Sequence, residues 1–426
     1  MKNKNKFRLP FIIIVTILMI SGTGSKAQDW PQWRGPNRDG IAKATDINLD
    51  WQAKKPPLVW TFRQAGSGYS APVIVGTTLY CQGAADGNDF AFALDTQTGT
   101  LKWKQNLGEQ YLSGDNRGDG PRGSVTVDGD KLYLIRGGGQ IHCLSAADGK
   151  MLWQKDLKTD FKGKMMSGWG FSESPLVDGK LVILSPGGEE GTVAALDKNN
   201  GALVWRCKEL TDNAAYSSAI IVDIDGIRQY VQQTNKGVAG ISAKDGKLLW
   251  KIEIPRYRTA VIPSPVANNN FVYVTNAYNG GSTCIRLTKE GNGIKADTVY
   301  TSHPAMNNPH GGVVLVNGYI YGVTEKQGLV CQNFKTGESV WRERSQGVTN
   351  GITVAVNDRL ILLNETDGLI VVVAASPDGW KEFGRMEFPE RTKLKNQNNC
   401  VWTHPVVANS KLYLRDHDLL FCFDLK

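Results

Sequence analysis

Six segments of the chain end alike, with a glycine, three residues, and then a tryptophan or its aromatic stand-in, each closing a run of β-branched and aromatic residues. They are Gly99 with Trp103, Gly149 with Trp153, Gly201 with Trp205, Gly246 with Trp250, Gly337 with Trp341, and Gly379 with Phe383. From Trp103 to Trp250 the spacings are 50, 52 and 45 residues. A fixed period of ~40 to 50 residues holding four strand-like runs is the sequence signature of a β-propeller. The period predicts an architecture and leaves function open, because the same frame carries enzymes, scaffolds and binding modules.

Each repeat opens with a short strand and a tight hairpin, as in Ser174-Pro175-Leu176-Val177-Asp178-Gly179-Lys180-Leu181, where Asp-Gly supplies the positive φ angles the turn needs. Equivalent openings near Ser70, Gly123, Glu173, Ser217, Pro263, Gly311, Gly351 and His404 predict eight four-stranded antiparallel blades in an all-β fold. A third strand such as Val193-Ala194-Ala195-Leu196-Asp197 then leads through a glycine turn to the outer strand, whose aromatic is placed to pack on the next blade. The fifth repeat is irregular, with a turn lengthened through Lys289 to Gly293 and Tyr300 as its aromatic.

The eighth repeat reaches Lys426 without an outer strand, and the unassigned run Leu58-Val59-Trp60-Thr61-Phe62 lies at the other end of the chain. Pairing the two would close the ring and remove two exposed sheet edges, so Trp60 is expected to serve the eighth blade. The expected organisation is therefore a signal peptide at 1–27, a segment at 28–57 that wraps over the propeller, and the eight-bladed propeller at 58–426.

The leader carries Lys2, Lys4, Lys6 and Arg8 ahead of an apolar run from Phe11 to Ile20, and ends in Ser25-Lys26-Ala27, the pattern of a secretory signal cleaved after Ala27. The run is about half the ~20 apolar residues a membrane-spanning helix needs, and no cysteine follows it to take a lipid. The expectation is a periplasmic or secreted protein with no transmembrane segment after cleavage. Removing the leader takes the formal net charge from +8 to +3, so the chain's basicity is largely that of its leader and a nucleic-acid role is not supported.

The seven cysteines include no CxxC, no adjacent pair and no CxxCH. Repeat alignment puts Cys143, Cys331 and Cys422 at one equivalent position in three separate blades, where the first and third blades have Ala93 and Ala195. Mutual disulfides are then geometrically excluded, and small buried hydrophobes are expected. Asp115 to Gly120 has the ends of a calcium loop but Arg117 at its third position and Thr126 where a bidentate glutamate belongs, so it reads as a turn. Asn396 to Asn399 reads as a surface loop.

The repeat Ala93-Leu94-Asp95-Thr96-Gln97-Thr98-Gly99 through Trp103 resembles the pyrroloquinoline-quinone (PQQ) type of propeller repeat, and the resemblance covers the whole chain after the leader. It extends to exported single-domain PQQ-like proteins that begin Asp-Trp-Pro-Gln-Trp-Arg-Gly-Pro, here residues 29–36, which are similar to the outer-membrane assembly lipoprotein BamB. That resemblance implies a binding or scaffold protein. More distantly, the chain resembles eight-bladed quinoprotein alcohol dehydrogenases, which implies PQQ and calcium as cofactors, although the adjacent cysteine pair of those enzymes and a haem site are missing.

In a propeller, the residues just before each inner strand converge on one mouth of the central channel. Read blade by blade, that position holds Tyr69, Arg122, Trp169 with Glu173, Tyr216, Ile262, His310, Asn350, and Trp402 with His404. Loops between the second and third strands are expected to add Arg136, Glu189, Asn235, Lys236, Glu325, Glu365 and Asp416. Arg122 reads as a clamp for a carboxylate or sulfate, or as the partner of Glu173. Glu173 reads as a base, a metal ligand or that partner. His310 and His404 suit ligand contact, proton movement or a structural role. Trp169, Tyr216 and Trp402 suit stacking on a sugar ring or planar cofactor, or simply cap the core. In the dehydrogenase alternative, Arg122 would hold an acid group of PQQ, Trp169 or Trp402 would stack on it, and Glu173 with Asn350 would coordinate calcium. A carbohydrate-active enzyme is a further alternative at the same mouth, and exposed blade edges offer a route to a protein partner.

Overall fold

The computed structural model describes residue 1 and residues 28–113, 119–257, 259–302, 305–325, 327–394 and 400–426. The rest of the expected leader, most of the acidic turn at 115–120 and the Asn-rich stretch at 396–399 lie outside them. The described residues form eight sheets, seven of four strands and one of five, with no helix. Blade 1 runs from Val73–Val75 to Leu101–Glu109, and blade 8 ends the chain with Leu419–Asp424. Inner and middle strands are buried on both faces, because each blade is covered by its two neighbours. Outer strands such as Leu203–Arg206 are half exposed.

Closure follows the expected route. Leu58–Phe62 pairs antiparallel with Leu419–Asp424, setting Trp60 opposite Cys422. The same opposition recurs as Trp103 with Ala93, Trp153 with Cys143, Trp205 with Ala195, Tyr300 with Cys284 and Trp341 with Cys331. Cys284 thus joins the three cysteines the repeats had aligned, and among the described residues no cysteine is in a disulfide.

A β-bulge precedes the aromatic, which adds twist and tips the ring toward the next blade. The indole N–H of Trp60 donates to Thr96 O at 3.0 Å, that of Trp103 to Ala146 O at 3.1 Å, and that of Trp153 to Lys198 O at 3.0 Å, each across a blade boundary. The repeated glycine serves both the turn and this contact. Gly149 has φ +76°, and a Cβ placed there would sit 2.6 Å from Trp103 Cε3.

Two details depart from the repeat pattern. In blade 7, Val372 faces Gly384 and Val373 faces Glu382, so Phe383 occupies the bulge and Gly384 stands where the other blades carry their aromatic. Trp51, from the segment before the first strand of the ring, fills that space; a Cβ on Gly384 would lie 2.8 Å from Trp51 Cβ. Blade 7 also gains a fifth strand, Ile41–Ala42, parallel to Gly351–Val356, where four antiparallel strands were expected.

Candidate functional site

The floor of the site is built by the stretch from Gln28 to Ile41, which lies across the propeller axis and bonds to the innermost strand, or to residues flanking it, in every blade. Trp30 exchanges two backbone bonds with Ile74, at 2.8 and 2.9 Å, and Val127 N donates to Pro31 O at 2.9 Å. Arg38 donates to Ser174 O at 3.1 Å, to Ala219 O at 2.8 Å and to Pro175 O, tying blades 3 and 4. Trp33 Nε1 donates to Ser264 Oγ at 3.0 Å in blade 5, and Arg34 donates to Val313 O in blade 6. Gly40 O accepts from Ala355 N at 2.9 Å in blade 7, and Gln28 O accepts from Asn409 N at 3.4 Å in blade 8. Burial lowers the pKa of Arg34 to about 10 and that of Arg38 to about 9, so both stay charged at neutral pH with carbonyl dipoles in place of water.

Above this floor lies a cavity of about 260 Å³. Among the described residues, seven of the eight blades line it, with Tyr69, Arg122, Trp169, Tyr216, Ile262, His310, Trp402 and His404 all drawn from the position before an inner strand. Tyr69 and Trp402 stand 4.9 Å apart between ring centroids, and Trp169 and Tyr216 stand 6.0 Å apart with planes inclined 33°. His404 packs edge-on against Trp33 at 4.5 Å, and its Nε2 lies 3.3 Å from His310 O.

Blade 7 acts from behind the wall. Glu365 Oε2 lies 2.6 Å from His310 Nε2 and accepts from Trp402 Nε1 at 3.0 Å, while Oε1 accepts from Asn350 Nδ2. Burial pushes the Glu365 carboxyl up to about 7 and the His310 imidazole down to about 4. Between those values the pair is neutral, with its shared proton on Glu365. Burial also holds His404 well below the usual imidazole range.

Two of the ten residues read at that position, Glu173 and Asn350, are not on the wall. Glu173 is buried with Oε1 accepting from Ser185 N at 2.6 Å, and the charge that bears on it is that of Arg38, not Arg122. Asn350 is spent on Glu365. Of the seven residues expected from the second-to-third-strand loops, Glu365 is the one bonded to lining residues. Arg136 pairs with Asp89 at 3.0 Å, Lys236 with Asp212 at 3.6 Å, and Asp416 with Arg391 at 2.6 Å; Glu189, Asn235 and Glu325 are also absent from the lining. Trp33 and Tyr278 were not foreseen in the wall. Trp33 stands in the conspicuous Asp29–Pro36 run, whose two tryptophans were the available signal.

A quinone held by calcium needs carboxylate and amide oxygens gathered at one point of the wall. Glu173 and Asn350 face away from the cavity toward other partners. Among the described residues no group of three or more His, Cys, Asp or Glu is arranged to hold a metal ion. Among the described residues Arg122 is the one permanently charged residue of the lining, against the three acid groups of PQQ. The residues do not fit that cofactor.

Comparison with known proteins agrees with the propeller and its kind. The family model of the outer membrane protein assembly factor BamB matches residues 91–343, more than half of the chain. BamB of Yersinia pestis is 26% identical over 248 residues, 54% of this chain, and the chain spans 58% of that relative's length. Among solved structures, BamB from Moraxella catarrhalis superposes with a TM-score of 0.60 at 16% identity, covering 87% of this chain and 98% of the other. A quinohemoprotein alcohol dehydrogenase from Comamonas testosteroni gives 0.64 at 14% identity, covering 93% and 80%, a likeness of fold alone. With its eight blades, its closure by Leu58–Phe62 and this match over the repeats, the chain belongs to the family of the outer membrane protein assembly factor BamB.

Proposed function

We propose that this chain is an exported, periplasmic binding or scaffold protein that takes a ligand at its one-ended channel mouth and holds protein partners along its blade edges. The observation that carries the reading is the cavity itself: side chains from seven blades converge on a pocket closed below by the chain's own Gln28 to Ile41 stretch. Among the described residues such a site presents aromatic faces and the Arg122 side chain to a ligand, while the acid and amide of blade 7 hold His310 and Trp402 in place. For the edges, the outer strand of blade 3 leaves Leu203 and Val204 each 53% exposed beside unpaired backbone groups that a partner strand can extend. The description of the Yersinia relative as an assembly factor favours partner binding in the same compartment.

The competing dehydrogenase reading is tested by adding PQQ and calcium to the purified protein and following the quinone absorption, the melting temperature and alcohol-dependent dye reduction. A binding protein gives no calcium-dependent change in the quinone spectrum, no stabilisation and no dye reduction. Dye reduction that needs both PQQ and calcium would overturn the proposal.

A further inference from the structure

Blades 6, 7 and 8 meet behind the mouth on a single carboxyl group. Glu365 is pinned on both sides of its backbone, its N–H donating to Asn350 O at 3.0 Å and its C=O accepting from Val401 N at 2.7 Å. Its Oε2 lies 2.6 Å from His310 Nε2 and accepts from Trp402 Nε1 at 3.0 Å, which fixes the two rings 5.0 Å apart with planes inclined 79°. At 2.6 Å a nitrogen and an oxygen attract only with a proton between them, so the acid and the imidazole share one. The second imidazole nitrogen, Nδ1, bonds to no described residue and is not among the fully enclosed unpartnered nitrogens, so it opens on the cavity that His310 lines. Two states of the pair result. With Glu365 protonated, Oε2–H donates to Nε2, the ring carries its own proton on Nδ1, and the mouth is offered a donor. With Glu365 ionised, one proton has left to solvent, the ring proton sits on Nε2 against the carboxylate, and Nδ1 offers a lone pair.

Charges of both signs act on this corner. On Tyr69, Arg122 is opposed by Asp119 and by Asp416, the latter paired with Arg391 at 2.6 Å, while Glu325 of blade 6 bears on Glu365. Burial leaves His404 uncharged and pushes the thiol of Cys400, between blades 7 and 8, up to about 11. Neither sign is therefore selected in a ligand.

Resting on the proposed binding role, we infer that the mouth receives an uncharged ring carrying a carbonyl oxygen, packed against the indole of Trp402 with its oxygen on His310 Nδ1–H, and that Glu365 is the positioning residue that sets which way this bond runs. The indole takes a flat apolar ring, and the steeply inclined imidazole stands at the rim of what lies against it. A carbonyl carried into the cavity gives up its water and needs a donor there, which Nδ1–H supplies. Burial holds the Glu365 carboxyl at about 7 and the His310 imidazole at about 4, so the donor is present between those values and is exchanged for an acceptor as pH rises through 7.

The test titrates the protein with acetophenone, toluene and benzoate at intervals from pH 5.5 to pH 8.5, read by ligand-observed NMR. At pH 5.5 acetophenone is expected to bind saturably and about tenfold tighter than toluene or benzoate, and to lose about tenfold by pH 8.5 with its midpoint near 7, whereas toluene is indifferent to pH. His310→Ala is expected to bring acetophenone to the level of toluene throughout, which locates the site. Glu365→Gln, whose amide does not titrate, is expected to bind acetophenone equally at both ends of the range, with circular dichroism confirming that each variant is folded. The wild-type pH series decides where a variant fails to fold. Acetophenone affinity that ignores pH in the wild type, or a wild-type pH dependence that survives in Glu365→Gln, overturns the role of Glu365. Benzoate binding tighter than acetophenone, toluene binding as tightly as acetophenone, or no acetophenone binding overturns the ligand class. Dye reduction with PQQ and calcium is the separate result that would overturn the binding role.

Discussion

At the scale of the residue, the mouth is governed by groups whose charge burial has suppressed. Glu365 is buried behind His310 and Trp402, and its folded-state carboxyl titrates near 7, above the 4.5 it has when unfolded. Between those values the folded protein keeps a proton that the unfolded chain releases, so this group's contribution falls as pH rises from 4.5 and is fully lost above 7. At ~1.4 kcal/mol per pKa unit the full swing is about 3 to 4 kcal/mol, most of it between pH 5 and 8. His310, lowered to about 4, has the opposite sign, and its contribution is lost as pH falls from 6.5 toward 4. Glu365→Gln removes the titrating proton; because Oε2 faces both His310 Nε2 and Trp402 Nε1, the amide keeps the bond to only one of them, a loss that is the same at every pH. Urea unfolding at pH 5 and pH 8 should therefore show the variant gaining about 2 to 3 kcal/mol on the wild type across that interval; parallel pH profiles would mean that Glu365 is already ionised in the folded state. The sequence position before each inner strand was enough to place His310 and Trp402 at the mouth. Their contact with Glu365 was not legible, because it depends on three blades meeting at the axis.

At the scale of the element, blade stacking rests on a contact that one-dimensional spacing encodes well. Gly149 and Gly129 both sit at positive φ, +76° and +61°, but only Gly149 lies under a neighbouring indole, whereas a Cβ on Gly129 meets open space. Gly129→Ala is expected to cost ~1 to 2 kcal/mol, the backbone strain alone. Gly149→Ala should cost a further ~1 to 3 kcal/mol, since Trp103 has to move off its neighbour. Comparison of urea midpoints for the two variants checks this, and equal losses would show that the indole contact contributes nothing. Blade 7 shows the limit of the spacing rule. Its Gly379 and Phe383 imitate the pattern, but a bulge one residue off register puts Gly384 at the aromatic's place, and Trp51 completes the contact from outside the repeats.

At the scale of the whole molecule, the ring is fastened twice by the same end of the chain. Leu58–Phe62 completes blade 8, and the Gln28 to Ile41 stretch bonds to all eight blades across the axis. Deleting residues 28–63 strips Leu420 to Phe423 of their edge partner and leaves the inner carbonyls that Arg34 and Arg38 cap without donors. The truncated protein should lose its cooperative thermal transition by circular dichroism. A truncation that melts sharply at the full-length temperature would show that the ring closes without its first strand.

Local chemistry along the chain determined the repeat, the strands, the turns and the closing strand, because each depends on side-chain alternation, positive-φ glycines and an aromatic at a fixed offset. It also placed eight residues on one mouth, because a propeller carries equivalent positions to one axis. Only the tertiary structure decided what those residues do there. Glu173 faces Ser185 and Arg38, Asn350 is held by Glu365, and Trp33 forms the floor, since these partners lie in other blades or in the stretch before the ring. Pairing across an axis depends on which side chains fill a shared volume and on which buried charges find carbonyls, and no periodicity along the chain records either.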